Sequence, residues 1–198
     1  TPSLPAVPCF GDISGYSWAS DAINFLSDKK IVNGKSETEF APADNVTRAE
    51  FIAMTMRMVG IENAEADCDF SDVSKNDWYY SVVMSAYYYG LVKGESAHTF
   101  SPNRNVSREE FIVMAARAVE LAKLGYPNDD SMNSVDSDKI SDWAKEAYSM
   151  IGNYVETDVD ESDPENPVRI INPQKNATRF EVASLLRNIA ERCQVYPS

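Results

Sequence analysis

Cysteine and histidine are scarce in this sequence. Among its 198 residues the only cysteines are Cys9, Cys68 and Cys193, and the only histidine is His98. The cysteines are too few and too scattered for a disulfide scaffold or a zinc site, which would show paired spacings such as CxxC. A single imidazole also leaves no basis for an HExxH motif or a multi-histidine cluster. The composition therefore predicts no resident metal or cofactor and argues against an enzyme.

Positive charge and long apolar runs are scarce as well. Eighteen Lys and Arg residues stand against 31 Asp and Glu residues, giving a formal net charge of −13. Such a chain repels nucleic acid and anionic membranes unless its few cations are grouped. No apolar run approaches the roughly 18 to 20 residues of a membrane span, and the opening TPSLPAVPCF lacks the features of a signal peptide. We expect a soluble or already processed segment, with no nucleic-acid partner and no membrane insertion.

The sequence instead repeats one series of landmarks. The first copy reads Phe10-x-Asp12, Trp18, Gly34, Phe40-x-Pro42 and Thr47-Arg48-Ala49-Glu50. The second follows 60 residues later as Phe70-x-Asp72, Trp78, Gly94, Phe100-x-Pro102 and Ser107-Arg108-Glu109-Glu110. A looser third copy has Val135 at the initial phenylalanine position, an insertion, and then Trp143, Ile171-x-Pro173 and Thr178-Arg179-Phe180-Glu181. This repetition divides the chain into three segments, 10–61, 70–124 and 135–193.

Each segment carries two amphipathic helical patterns. The first places a tryptophan at the head of an apolar stripe, behind candidate N-caps at Ser17, Asp77 and Asp142. The second begins with candidate capping boxes, formed by Thr47 and Glu50, Ser107 and Glu110, and Thr178 and Glu181. Because a lone helical hairpin buries little surface, the three must share a core. The sequence thus predicts an all-α fold of three helical-hairpin repeats, with β structure limited to short turns.

One arginine in the first turn of each second helix is the leading candidate for function. Arg48, Arg108 and Arg179 recur although a cation there opposes the helix macrodipole, at a cost of about 0.3 to 1 kcal/mol. Two explanations remain open on physical grounds. Each guanidinium either pairs with a neighbouring carboxylate, or joins the helix start in receiving an anionic ligand.

The other repeated residues have both structural and ligand-binding interpretations. Trp18 and Trp78 are expected in the core rather than stacked on a sugar, because each heads an apolar stripe. Gly34 and Gly94 suit either a turn with positive φ or a bare backbone that a ligand approaches closely. Asp12 and Asp72 either cap a local turn or accept hydrogen bonds from sugar hydroxyls.

Taken together, the Phe-x-Asp, Trp-Ala, Val-x-Gly, Phe-x-Pro and Thr-Arg-Ala-Glu landmarks resemble the S-layer homology (SLH) domain, over about residues 10 to 193. The resemblance implies a compact pseudo-threefold arrangement with grooves between repeats. It also implies non-covalent anchoring of an exported protein to a bacterial cell wall, by binding a secondary polysaccharide that often carries pyruvylated N-acetylmannosamine. In that family the arginine is a ligand contact. The candidate ligand-binding set is therefore Arg48, Arg108, Arg179, Gly34, Gly94, Asp12, Asp72, Trp18 and Trp78, in a monomer at the cell surface.

Several alternatives remain open at this point. The module could assemble a surface lattice through protein contacts, or hold a pair of carboxylates for glycoside hydrolysis. The acidic stretch 156–165 is expected to be a solvated loop rather than a calcium loop, and a groove lined by it should bind an anion less well than the grooves built with Gly34 and Gly94. A ring of repeats would bring Cys9 near Cys193, although Cys68 is an equally possible partner and all three could stay as thiols.

Overall fold

The computed structural model describes residues 10–15, 17–61, 63, 64, 66–125, 134, 136–155, 158–160 and 168–193. Within these ranges six α-helices carry the fold: α1 (Ser17–Asp28), α2 (Arg48–Val59), α3 (Tyr80–Tyr88), α4 (Arg108–Leu121), α5 (Lys145–Ile151) and α6 (Arg179–Arg192). Short 3-10 turns lie at Gly11–Ile13, Ser137–Lys139, Asp142–Ala144 and Gly152–Tyr154. The all-α prediction is confirmed.

The third segment adds two short strands that sequence reasoning did not anticipate. β1 (Asp158–Asp160) pairs antiparallel with β2 (Val168–Ile170), with Val159 opposite Arg169. β1 lies within the acidic stretch 156–165, of which only 158–160 is described, and β2 follows that stretch. In the described part of the chain, β structure therefore goes beyond turns here.

The capping boxes are confirmed in all three segments. Each of α2, α4 and α6 begins one residue after a hydroxyl side chain, and the acidic residue three positions further on completes the reciprocal pair. In α4, for example, the Ser107 N–H donates to the Glu110 carboxylate at 2.9 Å. The box satisfies backbone donors that the first helical turn leaves free, and so it fixes where each helix starts.

The caps predicted for the preceding helices are wrong in the second and third segments. Helix α3 begins at Tyr80 and helix α5 at Lys145, each without a side-chain cap. Asp77 instead accepts a hydrogen bond from the Ser74 N–H at 2.7 Å, and Asp142 lies in a 3-10 turn, where it pairs with Lys145. Each helix therefore starts two residues or more after its predicted start.

The helices pack between segments rather than within them. The first helix of each segment lies mainly against the second helix of the preceding one, α3 on α2 and α5 on α4, and α1 closes the circle against α6. The helical pairs are therefore not independent hairpins. Helix α2 also contacts α4 and α6, and the buried rings of Phe51 and Phe111 lie 5.7 Å apart between their centroids.

A closed ring of backbone hydrogen bonds joins the three segments just before the capping boxes. The Val106 N–H donates to Val46 O at 2.9 Å, the Ala177 N–H to Val106 O at 2.9 Å, and the Val46 N–H to Ala177 O at 3.0 Å. All three side chains are fully buried. This ring gives the arginine-bearing helix starts equivalent positions around one centre.

Candidate functional site

Each repeated arginine reaches beneath the loop of another segment. The Arg48 guanidinium donates to Phe100 O at 3.0 Å and to Lys93 O at 3.2 Å. Arg179 donates to Phe40 O at 2.7 Å and to Asn33 O at 2.6 Å. Because these carbonyls carry partial negative charge, they compensate for placing a cation at a helix start.

Arg108 is sealed inside the protein. It is 1% exposed and donates to the Glu181 carboxylate at 2.6 Å and to Ile171 O at 2.6 Å. Asp158 adds a further contact at 3.3 Å. Burial acts to lower the pKa of Arg108, but the hydrogen bond and charge of Glu181 and the charge of Asp158 outweigh it and raise that pKa. For Arg108 the ion-pair explanation holds, and the expectation that it receives a ligand is not supported.

Arg48 is in an intermediate situation. Its guanidinium lies 3.2 Å from Glu110, whose carboxylate is also in contact with Arg104. Burial lowers the pKa of Arg48, opposed mainly by the charge of Glu110. The carboxylate is therefore shared between two cations, and Arg48 is only partly compensated.

Arg179 has no carboxylate within ion-pair distance among the described residues. Its remaining guanidinium N–H groups find no acceptor in that part of the chain, beyond Phe40 O and Asn33 O. The guanidinium carbon lies 4.4 Å from the centroid of the Phe40 ring, which fixes its position. Burial lowers the pKa of Arg179, while the charges of Glu50, Asp44 and Asp12 oppose the shift. Of the three arginines, Arg179 has the fewest acceptors among the described residues, so it keeps the most N–H groups for an external anion.

Two open clefts lie in front of Arg179 and Arg48. The first groove, of about 200 Å³, is lined by Asn33, Gly34, Lys35, Glu50, Ala53, Met54, Arg57, Trp78 and Arg179. The second groove, of about 170 Å³, is lined by Lys93, Gly94, Glu95, Glu110, Val113, Met114, Arg117, Trp143 and Arg48. The two sets of lining residues correspond position by position in this order, and each groove is formed by residues of all three segments.

Trp78 and Trp143 are not in the core, contrary to expectation. Trp78 is 62% exposed and Trp143 is 56% exposed. Because both precede their helices, the helical spacing that would have turned them inward does not apply. Each instead forms one wall of a groove, where a flat aromatic face is available to a sugar ring. The side chain of Trp18 lies outside what the structure describes.

Gly34 and Gly94 do not have the positive φ that a turn would require; among glycines that angle occurs at Gly60 and Gly90 in the described chain. They are needed because the protein itself packs closely around them. A Cβ on Gly34 would lie 2.4 Å from the carbonyl oxygen of Ser36, and one on Gly94 would lie 2.3 Å from that of Ser96. The positive-φ interpretation is therefore wrong. Both glycines line a groove, so the close approach of a ligand to their backbone stays a prediction.

Asp12 and Asp72 have a structural task. The Asp12 carboxylate accepts hydrogen bonds from the N–H groups of Phe40 at 2.9 Å and Ala41 at 2.6 Å. Asp72 does the same for Phe100 at 2.9 Å and Ser101 at 2.7 Å. These bonds hold Ala41 and Ser101 in a left-handed conformation that is unfavourable for residues with a Cβ. The carboxylates are therefore engaged by the backbone and line neither groove.

Asp136 is the third member of this set, which sequence reasoning missed. It is 1% exposed and accepts from the N–H groups of Ile171 and Asn172, each at 2.8 Å. This geometry places Ser134, rather than Val135, at the position of the initial phenylalanine. Asp12 and Asp72 each precede a tryptophan by six residues, whereas Asp136 precedes Trp143 by seven, so the spacing of the first two copies did not identify it.

Three further charged groove residues were missed by the sequence reasoning. Lys35 and Arg57 line the first groove, and Arg117 lines the second. Arg57 and Arg117 are separated by the same 60 residues as the other landmarks, and that register is the signal that could have identified them.

The acidic stretch and the cysteines are described only in part. Asp158 accepts from Arg108 and Lys175, each at 3.3 Å, and from Asn172 at 3.1 Å. It thus contributes to closing the space around Arg108.

Cys68 and Cys193 are free thiols, whereas Cys9 lies outside the described residues and so does the bridge considered for it. No helix in the described ranges has the length and apolarity of a membrane span.

Comparison with known proteins identifies similar sequences. A family model of the S-layer homology domain matches residues 10–52 and 69–112. The amylopullulanase of Thermoanaerobacterium thermosulfurigenes is 34% identical over 92% of this chain and 10% of that protein. Exoglucanase XynX of Acetivibrio thermocellus is 33% identical over 92% of this chain and 16% of that protein. The surface-layer 125 kDa protein of Lysinibacillus sphaericus is 29% identical over 95% of this chain and 15% of that protein. The chain thus spans between 10% and 16% of the length of these relatives.

Proposed function

Because residues 10–52 and 69–112 place this chain in the S-layer homology family, we propose that it anchors a bacterial surface protein to the cell wall by binding an anionic wall polysaccharide. S-layer homology domains are anchoring modules of cell-surface proteins. The relatives named as enzymes are matched over only a small part of their length. A binding role rather than a catalytic one is therefore proposed for this chain, outside the cell and at the wall.

The observation that carries the proposal is the state of Arg179. Its guanidinium borders an open cleft, lacks a carboxylate partner among the described residues, and lies in the first turn of α6. A guanidinium and a helix start both favour a bound carboxylate. A pyruvyl ketal on N-acetylmannosamine supplies such a carboxylate on a sugar ring, and Trp78 offers an exposed aromatic face beside it.

We also propose that residues 135–193 form a third, divergent repeat, although the family model matches the first two segments only. Three recurring features support this: the capping box of α6, the Asp136 hydrogen bonds, and the ring formed by Val46, Val106 and Ala177. On this proposal the third repeat supplies Arg179 to the first groove and Trp143 to the second, so both grooves depend on it.

Co-sedimentation with purified bacterial walls tests the proposed function. The wild-type chain should sediment with intact walls and stay in solution with walls stripped of secondary polymer. Arg179→Ala should reduce binding by about tenfold or more, since it removes a charged hydrogen-bond donor. The exposed Lys75→Ala variant serves as a control and should bind like wild type. Equal binding to stripped walls would contradict the proposal and favour a protein-assembly module.

A further inference from the structure

The two grooves carry opposite charges at one corresponding position. Lys35 directly follows Gly34 in the first groove, and Glu95 directly follows Gly94 in the second. Most of the other lining positions are matched, including the tryptophan, the methionine and both arginines. The reversal of charge between Lys35 and Glu95 therefore separates two grooves whose lining residues are otherwise similar.

In the first groove the lysine neutralises the nearby carboxylate. Lys35 Nζ lies 2.9 Å from Glu50 Oε1, and the lysine side chain is 41% exposed. The pKa of Glu50 is below its ordinary value: burial acts to raise it, but the Thr47 backbone bond and Lys35 outweigh burial. Glu50 therefore stays ionised and paired with Lys35, and it makes no ion pair with Arg179.

In the second groove the glutamate adds a negative charge. Glu95 is in contact with Arg104, and Arg104 also contacts Glu110, the partner of Arg48. Two carboxylates and two arginines thus form a network that is already balanced in charge. Even with Lys93 included, this groove sets three cations against two carboxylates, whereas the first groove sets three against one.

We infer that the residue after the glycine determines which groove binds a carboxylated sugar more tightly. Lys35 makes the first groove the tighter site, and Glu95 weakens binding in the second. This inference rests on the proposed function and deepens it. A ligand carboxylate entering the first groove meets Arg179, which has no carboxylate partner among the described residues, and Lys35 lies close by. One entering the second must compete with Glu110 for Arg48 and lies near Glu95. The net charge of the whole chain plays no part in this ranking.

Exchanging the two side chains tests the inference without changing net charge. The double variant Lys35→Glu with Glu95→Lys keeps the overall charge of the chain constant. The probe is a methyl glycoside of pyruvylated N-acetylmannosamine, and its neutral methyl ester is the control ligand. Because Trp78 lines the first groove and Trp143 the second, the indole N–H signals in ¹H–¹⁵N spectra report the occupancy of each groove separately.

In the wild-type chain the Trp78 signal should saturate at about tenfold lower ligand concentration than the Trp143 signal, which corresponds to about 1.4 kcal/mol. In the double variant this order should reverse, and with the methyl ester the two signals should respond at similar concentrations. Glu95→Gln alone should strengthen the response at Trp143, and it provides a milder test should the exchange disturb folding.

An unchanged order in the double variant, together with an unchanged response at Trp143 in Glu95→Gln, would overturn the inference while leaving the proposed function intact. The same holds if the acid and its ester give equal rankings. If neither indole responds and the wild-type chain also fails to sediment with intact walls, the proposed function fails and this inference fails with it.

Discussion

The guanidinium of Arg108 donates to the carboxylate of Glu181 at 2.6 Å, and both side chains are almost completely buried. Arg179 occupies the corresponding place in the third segment and has no such partner among the described residues. Three helix starts that are equivalent in sequence therefore differ in how their arginine is paired. Arg108 is buried in an ion pair, Arg48 shares the Glu110 carboxylate with Arg104, and Arg179 has no carboxylate partner among the described residues. The anchoring account depends on this difference.

Removing the arginine from the buried Arg108–Glu181 ion pair should destabilise the protein. Arg108→Met leaves the Glu181 carboxylate buried without its partner, which should lower the free energy of unfolding by about 3 kcal/mol. Adding Glu181→Gln should restore part of that loss, because glutamine keeps the capping box while removing the buried charge. Chemical denaturation checks both variants. A double variant no more stable than Arg108→Met would contradict the assignment.

Trp78 should matter for binding and not for stability. Its side chain is 62% exposed, so Trp78→Ala should change the free energy of unfolding by no more than about 0.5 kcal/mol. Loss of an aromatic face should cost about 1 kcal/mol of binding, or roughly fivefold in affinity. Calorimetric titration with wall polymer, alongside thermal unfolding, separates the two effects. A large loss of stability with unchanged affinity would show that Trp78 is a packing residue.

The two groove glycines should tolerate no added carbon. Gly34→Ala and Gly94→Ala each place a Cβ closer than 2.5 Å to a backbone oxygen, so the loop must shift, and we expect a loss of at least about 2 kcal/mol. Gly11→Ala is the matched control, because its Cβ would meet only Thr38 O at 3.8 Å. Thermal unfolding compares the three variants. Equal stability of Gly34→Ala and Gly11→Ala would contradict the close packing.

Acid should weaken the fold partly through Glu110. Burial acts to raise the pKa of Glu110, but hydrogen bonds from Arg104 and Ser107 and the charges of Arg104 and Arg48 hold it below its ordinary value of 4.5. A carboxyl group with a lower pKa in the folded state stabilises the protein above the unfolded-state pKa, and that stabilisation disappears as pH falls through the folded-state pKa. The free energy of unfolding should therefore decline below about pH 4.5.

Glu110→Gln should show a shallower decline, since it removes this group while keeping a capping-box side chain. Unfolding in denaturant between pH 3 and pH 7 makes the comparison. Identical pH profiles for the wild-type chain and the variant would show that Glu110 does not contribute.

The features that recur within each copy were predictable from the sequence. Capping-box spacing identified the starts of α2, α4 and α6, because that motif satisfies local backbone donors and needs no distant partner. The prediction that the tryptophans lie in the core was wrong for Trp78 and Trp143, and for Trp78 the reason is local. Asp77 was interpreted as a helix cap but closes a turn with Ser74, and the helix starts only at Tyr80.

The electrostatic state of each arginine could not be predicted from the sequence. Arg179 meets a carbonyl 139 residues away and Arg108 meets a carboxylate 73 residues away. These contacts arise because each first helix packs on the preceding segment, an arrangement that hydrophobic periodicity does not encode. The exchange of Lys35 for Glu95 is visible in the aligned copies, but its effect becomes evident only once both are seen beside a groove.

The most direct test of the central claim is a crystal structure of the chain with pyruvylated N-acetylmannosamine bound. The account predicts the ligand carboxylate within about 3 Å of the Arg179 guanidinium, with the sugar ring beside Trp78. A sugar bound elsewhere on the surface, with the cleft in front of Arg179 empty, would contradict it.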